Sequence, residues 1–304
     1  MHALLRASAQ KSHVLMTTHG PAPGGGPSSA RGLVGCWSHD CSWHQLAEIL
    51  PSSNSDREQL DLSGPWAQQW TVAWRTTSGE VVAPASELGA MPSAGLQLMR
   101  QFTWSKKQQH RPSLEYMGVT TRHHGAESGL EANLLLALEF AGDLIETLSQ
   151  PIKLTYRTHE GRSEHTPDFL AITRTGQWLI DVRPERRLTA KTLIDFAATA
   201  EVTLAAGWRY AAVIGWHPYG VSVLRNFAAE RRPLSNVRNM IGQVLSTVEE
   251  GPRLFAEIAE ATSYPVIARA YTRHLLWHRR LSIELGAPFG DATMVYRVEE
   301  QPWS

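Results

Sequence analysis

The order of helix and strand patterns between residues 127 and 216 constrains the fold of this chain more than any other feature. Leu130, Leu134 and Leu138 repeat at helical spacing. The predicted elements follow one another as a helix (127–140), three strands (152–157, 164–173 and 177–183), a helix (189–206) and a strand (210–216). Turn-like residues, among them Gly161, Gly176 and Gly207, separate these elements. The sequence therefore predicts an α/β fold whose core has the order α-β-β-β-α-β.

The segments on either side of this core have different patterns. Residues 1–32 are rich in Gly, Pro and Ser and predict a disordered leader. Residues 33–95 contain two strand patterns around Ser78-Gly79 and predict a small β-rich module. The core domain is expected to span 96–220, and the helical pattern of 233–304, with a strand near its end, predicts a winged-helix-like interaction domain.

Composition and charge exclude several classes of protein. The chain has 304 residues, of which 42% are apolar, and it carries 29 basic and 29 acidic side chains. This length and composition are typical of a globular protein with a sizeable core. Most of the basic residues are arginines, which suit bidentate phosphate contacts. No run approaches the roughly 18 apolar residues of a membrane-spanning helix, and no signal-peptide core is present. We therefore expect a cytoplasmic protein without a membrane partner.

Two aspartates in the core are expected to converge. If strands 164–173 and 177–183 pair antiparallel across Thr175-Gly176, Asp168 and Asp181 lie within about two positions of direct partners. Two carboxylates at one site repel each other unless a cation lies between them, and oxygen ligands favour Mg²⁺ or Mn²⁺. Glu131 on the preceding helix is a candidate third ligand, and Arg183 is placed to bind a phosphate or developing negative charge. The set predicts metal-dependent phosphodiester hydrolysis.

The same residues resemble a known family. Ser128-Gly-Leu-Glu131, Ser149-Gln150-Pro151, Thr166-Pro167-Asp168-Phe169-Leu170 and Ile180-Asp181-Val182-Arg183-Pro184 occur in this order. The chain is similar here to the TnsA-type transposase endonuclease subunits, within the PD-(D/E)xK restriction-endonuclease-like group. The resemblance covers roughly residues 97–216, and extends to the C-terminal unit only in its general pattern.

The resemblance implies a role for each residue of the motif. Glu131 and Asp168 would be metal ligands, Asp181 the acidic member of the second-strand pair, and Arg183 the occupant of the family's usual lysine position. Arginine, with a pKa of about 12.5 or more, orients and neutralises but scarcely deprotonates water. Either the metal ion activates the water, or the catalytic activity of the site is weakened. Lys191 is a possible substitute for the lysine, and Gln150 either lines the site or ends a loop.

Three further groups of residues have competing interpretations. Cys36, His39, Cys41 and His44 lie too close together for an ordinary structural zinc site, so incidental thiols are favoured over zinc. Arg269, Arg273 and Arg280 fall near one side of a predicted helix over 265–283 and could contact DNA, a protein partner or only solvent. His165 adjoins the motif, and we interpret it as incidental.

The leading hypothesis is a Mg²⁺-dependent DNA endonuclease subunit of a heteromeric transposase. The resemblance implies that it hydrolyses the 5′ ends of the transposon in double-stranded DNA. It also implies a DDE-type transposase subunit for the other strand and an ATPase regulator, without which cleavage is weak or absent. The alternatives are a catalytically silent DNA-binding adaptor, for which Arg183 is the argument, and a stand-alone restriction or repair nuclease.

Overall fold

A mixed α/β fold is present, as the order of elements predicts. The structure is a computed structural model and describes residues 33, 35–99 and 112–299. The predicted leader, residues 1–32, lies outside the described residues. The strands are β1 Ala47–Ile49, β2 Thr71–Thr76, β3 Gly79–Pro84, β4 Leu96–Gln97, β5 Ser113–Met117, β6 Arg122–Ala126, β7 Leu144–Ser149, β8 Ile152–Thr158, β9 Gly161–His165, β10 Phe169–Thr173, β11 Gly176–Val182, β12 Arg209–Trp216, β13 Arg253–Leu254, β14 Leu281–Ser282 and β15 Met294–Arg297.

The helices are of two kinds, short single turns near the N-terminus and longer helices from residue 129 onward. They are α1 Asn54–Arg57, α2 Trp66–Gln69, α3 Gly129–Ala141, α4 Ala190–Ala205, α5 Gly220–Ala228, α6 Met240–Thr247, α7 Phe255–Glu260 and α8 Pro265–Trp277. Within the ranges given above, no helix has the length and hydrophobicity that crossing a bilayer requires.

The central sheet has the strand order β1-β12-β11-β10-β7. β11 and β12 are parallel, whereas the other neighbours are antiparallel. Alternate residues of a strand point to opposite faces, and the two faces bury different cores. Phe169 and Ile180 pack in the cluster that contains the leucines of α3, while Leu170 and Leu179 pack with Ala198 and Val202 of α4. The sheet therefore lies between α3 and α4.

Residues 33–95, predicted as a β-rich module, contribute strands to both sheets of the core. β1 forms one edge of the central sheet through β12. β2 pairs with β8 in a second sheet of order β3-β2-β8-β9, and β4 pairs with β2. The predicted hairpin around Ser78-Gly79 is present as β2 and β3. Its inner residues, such as Val72 and Trp74, share one hydrophobic cluster with Leu154 of the core.

Two strands of the core differ from the sequence prediction. The predicted strand 164–173 is two strands, because β9 pairs with β8 in the second sheet and β10 belongs to the central sheet. Pro167, which has no backbone N–H for a strand ladder, lies at the crossing between them. β7 was not predicted, and it forms the edge of the central sheet beside β10.

The C-terminal unit consists of α6, α7 and α8 with a small sheet of order β13-β15-β14. The predicted helix 265–283 is wrong at its end, since α8 stops at Trp277. Arg279 has a left-handed backbone, φ 57°, which a continuing α-helix does not allow. Leu281 and Ser282 then form β14 instead.

Candidate active site

The β10–β11 hairpin brings Asp168 opposite Asp181. The register pairs Phe169 with Ile180 and Thr173 with Gly176, so the next position in the same register joins the two aspartates. The backbone N–H of Val182 donates a hydrogen bond to Oδ2 of Asp168 at 2.7 Å. Directly opposed residues point to the same face of a sheet. Both carboxylates therefore lie on the α4 side, at the end of the sheet where β11 finishes.

Asp181 is buried, with 1% of its surface exposed. Its Oδ1 lies 2.8 Å from Nε2 of His165, and its Oδ2 accepts a hydrogen bond from the Tyr210 hydroxyl at 2.9 Å. Burial and the neighbouring Asp181 raise the pKa of Tyr210 well above its ordinary value. Burial alone would lower the pKa of His165, but the charge and hydrogen bond of Asp181 raise it overall. Two side chains thus fix the orientation of this carboxylate.

Glu131 lies in the first turn of α3, beside the N-cap residue Ser128. The Ser128 side chain accepts a hydrogen bond from the backbone N–H of Glu131, as N-cap residues do. Glu131 in turn accepts from the Ser128 hydroxyl at 2.9 Å and from the backbone N–H of Glu127 at 2.8 Å. Burial raises the pKa of Glu131 despite these donors. The capping role explains why this carboxylate is held in place.

The three carboxylates act on one another electrostatically. The pKa of Asp168 is raised well above its ordinary value by burial first, then by the charges of Asp181 and Glu131. The N–H of Val182 opposes this shift. Because burial and like charges raise the pKa of a carboxyl, ionisation of Asp168 is unfavourable in the metal-free protein. A bound cation would remove that cost.

The surrounding polar residues extend this network in two directions. Gln150, a predicted accessory residue, is buried, has a left-handed backbone (φ 49°) and donates from Nε2 to Glu127 at 3.1 Å. Lys191, predicted as a possible substitute for the family's lysine, binds both carboxylate oxygens of Asp195 at 2.8 and 2.9 Å. The pairing with Asp195 fixes Lys191 on α4.

Arg183 lies just beyond the end of β11, and its side chain is exposed. Its backbone N–H donates to the carbonyl of Val213, which fixes the main chain at this point. The guanidinium makes no hydrogen bond or ion pair with any residue in the part of the chain that the structure describes, but its charge lowers the pKa of Glu131. An exposed, charged group beside a carboxylate cluster is available to an anionic ligand.

The donor chemistry of this cluster fits a hard divalent cation. Carboxylate oxygens are the ligands that Mg²⁺ and Mn²⁺ prefer. Each of the three carboxylates uses only part of its capacity to accept hydrogen bonds. Oδ1 of Asp168 accepts none from the described residues. Across residues 33, 35–99 and 112–299, no three acidic, His or Cys side chains lie close enough together to hold a metal ion. Glu131, Asp168 and Asp181 are the carboxylates that would serve as ligands if the ion bound here.

Sequence reasoning missed four residues of this network, namely Glu127, His165, Asp195 and Tyr210. His165 was interpreted as incidental because it is one of 13 histidines, although it adjoins the Pro167-Asp168 motif. Asp195 and Tyr210 reach the site from α4 and β12, so only the three-dimensional arrangement of these elements reveals them. Asp195 accepts a hydrogen bond from the buried Tyr156, which ties the network to the second sheet.

The other predicted ligand groups do not converge in the described residues. His39 lies 2.7 Å from the Ser282 hydroxyl, whereas His44 stacks on Trp178, so the two histidines of the Cys36–His44 segment face different neighbours. Cys41 is buried and Cys36 is partly exposed. The Cys41 side chain forms a hydrogen bond with Cys36, which lowers the pKa of Cys36.

The three arginines predicted as DNA or partner contacts have separate environments. Arg269 forms an ion pair with Asp291, and both Arg269 and Arg273 lie over the ring of Phe255. Arg280 is exposed but lies beyond the end of α8. These residues do not form one exposed basic face of a helix.

Comparisons with known proteins add no family to this description. No protein-family model and no curated protein matches the chain. Its function is therefore inferred from the geometry of the carboxylate cluster and from the motif that carries it.

Proposed function

We propose that this protein is a Mg²⁺-dependent DNA endonuclease, with Mn²⁺ as a substitute for Mg²⁺. The observation that carries the proposal is the direct opposition of Asp168 and Asp181 across the β10–β11 hairpin, with Glu131 close enough to raise the pKa of Asp168. Three ionisable carboxylates in one electric field are unfavourable by themselves. A divalent cation and a phosphodiester are the ligands that such a site accommodates best.

Each residue of the cluster has a distinct part in the proposed reaction. Bound Mg²⁺ would supply activation of water and stabilisation of negative charge. Glu131, Asp168 and Asp181 would hold the ion, and His165 and Tyr210 keep Asp181 oriented through their hydrogen bonds. Arg183 is exposed beside them and binds a non-bridging phosphate oxygen, where it stabilises the charge that develops during in-line attack. Arg183 does not act as a base, because its pKa is too high.

The place of this activity in a larger assembly is supported by the sequence motif. The ordered Glu131, Gln150-Pro151, Pro167-Asp168 and Asp181-x-Arg183 set resembles TnsA-type subunits. We infer from this that the protein cuts the 5′ ends of a transposon while a DDE-type transposase subunit cuts the 3′ ends, under an ATPase regulator. The C-terminal unit is then a winged-helix-like domain that contacts these partners or DNA.

One observation favours a second candidate, a catalytically silent DNA-binding adaptor. Both oxygens of Asp181 and both of Glu131 already have hydrogen-bond donors inside the protein. In an adaptor the same cluster would be a structural polar network. The two functions differ in whether Asp168 is required for a metal-dependent reaction.

The test is cleavage of end-labelled duplex DNA by the full chain, alone and with the proposed DDE-type transposase and ATPase partners, in Mn²⁺ and in EDTA. Wild type and Asp40→Asn, an exposed aspartate outside the cluster, are expected to cut only with metal, and Asp168→Asn is expected to lose at least a hundredfold in rate. Equal cleavage by wild type and Asp168→Asn would contradict the proposal. Duplex binding without cleavage in every combination would favour the adaptor.

A further inference from the structure

An open groove runs along the surface beside the carboxylate cluster. Its volume is about 510 Å³, and its walls come from the first turn of α3, the turn after β11 and the exposed side of α5. Ser128, whose hydroxyl binds Glu131, lines one end of the groove. Pro184, which follows Arg183 directly, lines the same groove. The groove therefore adjoins the two chain segments that carry Glu131 and Arg183.

Arginines supply the charge of this groove. Arg186, Arg187 and Arg225 all line it and are all exposed. Within the described residues, the guanidiniums of Arg186 and Arg187 make no ion pair and no hydrogen bond, so their positive charges are uncompensated by a direct contact. Arg225 donates to the Asn133 side chain at 2.6 Å, which orients its guanidinium along α3.

The backbone of the turn between β11 and α4 is fixed, so the position of these charges is defined. Glu185–Arg187 form a 3₁₀ turn in which Arg187 donates its backbone N–H to the Pro184 carbonyl at 2.8 Å. Leu188 donates in the same way to Glu185 at 3.0 Å. A short turn that starts four residues after Asp181 cannot move far from the site. Glu185 is the acidic residue among the groove's lining side chains.

We propose that this groove binds the sugar-phosphate backbone of duplex DNA next to the bond to be cut, with Arg186, Arg187 and Arg225 as phosphate-binding residues. The inference rests on the proposed function, and deepens it by naming the surface that holds the substrate. A carboxylate cluster repels a polyanion, so DNA binding needs cations close by to offset that repulsion. Arginine forks match phosphate oxygens, and contacts of this kind position DNA without reading its sequence.

The predicted contribution of these residues can be worked out from counterion release. Each phosphate contact contributes about 0.9 to the slope of log affinity against log salt concentration. Loss of the contacts from Arg186 and Arg187 should make the slope shallower by about 1.8. If those contacts contribute little at 1 M salt, the double variant should bind DNA about 60-fold more weakly than wild type at 0.1 M salt.

The experiment measures fluorescence anisotropy of a labelled 30-base-pair duplex, titrated with the full chain in EDTA over a range of KCl concentrations. The variants are Arg186→Ala/Arg187→Ala and Arg225→Ala. The matched control is Arg157→Ala/Arg162→Ala, because these two exposed arginines are also neighbours, paired across β8 and β9 on the other sheet. Thermal melting of each variant checks that the fold is retained.

The inference predicts a weaker, less salt-dependent complex for the groove variants and unchanged binding for the control. A groove variant that binds like wild type, or a wild type that does not bind duplex DNA, would overturn the inference. The proposed function is judged separately, by the loss of metal-dependent cleavage in Asp168→Asn. If the groove variants lose binding but Asp168→Asn cleaves like wild type, the groove proposal stands and the catalytic assignment is contradicted.

Discussion

Replacement of Asp168 by asparagine should stabilise the metal-free protein at neutral pH. Asparagine keeps an oxygen that can accept the hydrogen bond from the Val182 backbone N–H, and it removes the charge that Asp181 and Glu131 repel. Most substitutions of a partly buried polar residue destabilise a protein. A gain in stability here would therefore report the combined cost of burying the Asp168 charge and of its repulsion by Asp181 and Glu131.

The magnitude follows from the raised pKa of Asp168. Each unit by which a folded-state pKa exceeds the unfolded value costs about 1.4 kcal/mol of stability once the group is ionised. The pKa of Asp168 lies well above the ordinary 3.8, so the gain grows by this amount with each unit of the shift that is realised at the pH of the measurement. In domains of about 150–250 residues, each kcal/mol gained raises the melting temperature by roughly 2–4 °C.

The pH dependence of this gain has a defined sign. A carboxyl with a raised folded-state pKa binds its proton more tightly in the folded protein, so stability is greatest below pH 3.8 and falls as pH rises toward the folded pKa. The stability that Asp168→Asn gains over wild type should therefore be absent below pH 3.8 and should appear as the pH increases. Thermal melts followed by circular dichroism in EDTA measure it, with Asp40→Asn as control. An asparagine variant that is less stable than wild type at pH 7 would refute the reasoning.

Three smaller predictions concern the residues that hold the cluster. Ser128→Ala should cost about 1 kcal/mol in urea unfolding through loss of the α3 cap, whereas Ser53→Ala, at an N-cap without a side-chain hydrogen bond, should cost less. Tyr210→Phe removes a donor to buried Asp181 and should cost about 1–3 kcal/mol, whereas Tyr219→Phe, which is exposed, should be neutral. The folded-state pKa of His165 is raised, so its stabilising contribution is complete below pH 6.5 and is lost as pH rises through the folded pKa. Replacement by glutamine should remove that part of the pH profile.

The sequence predicted those parts of the molecule that depend on local patterns. The mixed α/β class, the helices α3 and α4, and the strand β12 follow from apolar spacing and glycine stops, and they are present close to the expected positions. The hairpin that opposes Asp168 and Asp181 follows from one turn signal, in which Gly176 has the positive φ of 137° that glycine accepts readily. The convergence of the two aspartates was therefore within reach of sequence reasoning.

The parts that the sequence did not predict depend on pairing over long distances. β9 and β10 look like one strand because only three residues, Thr166, Pro167 and Asp168, separate them in the sequence. Only the pairing with β8 and β7 distinguishes them. Residues 33–95 pair with strands 70 to 170 positions away, which a local pattern does not encode. Tyr210 belongs to the site only because β12 lies parallel to β11. The same holds for the groove, whose walls join three separate elements.

The most direct test of the central claim is calorimetric titration of Mn²⁺ into the full chain in the presence of a transposon-end duplex. The account predicts binding by wild type and Asp40→Asn and a loss of at least tenfold in affinity for Asp168→Asn. Asp168, whose ionisation burial and the neighbouring carboxylates disfavour, would then be a metal ligand. Equal Mn²⁺ affinity for wild type and Asp168→Asn would contradict the account, and the adaptor function would take its place.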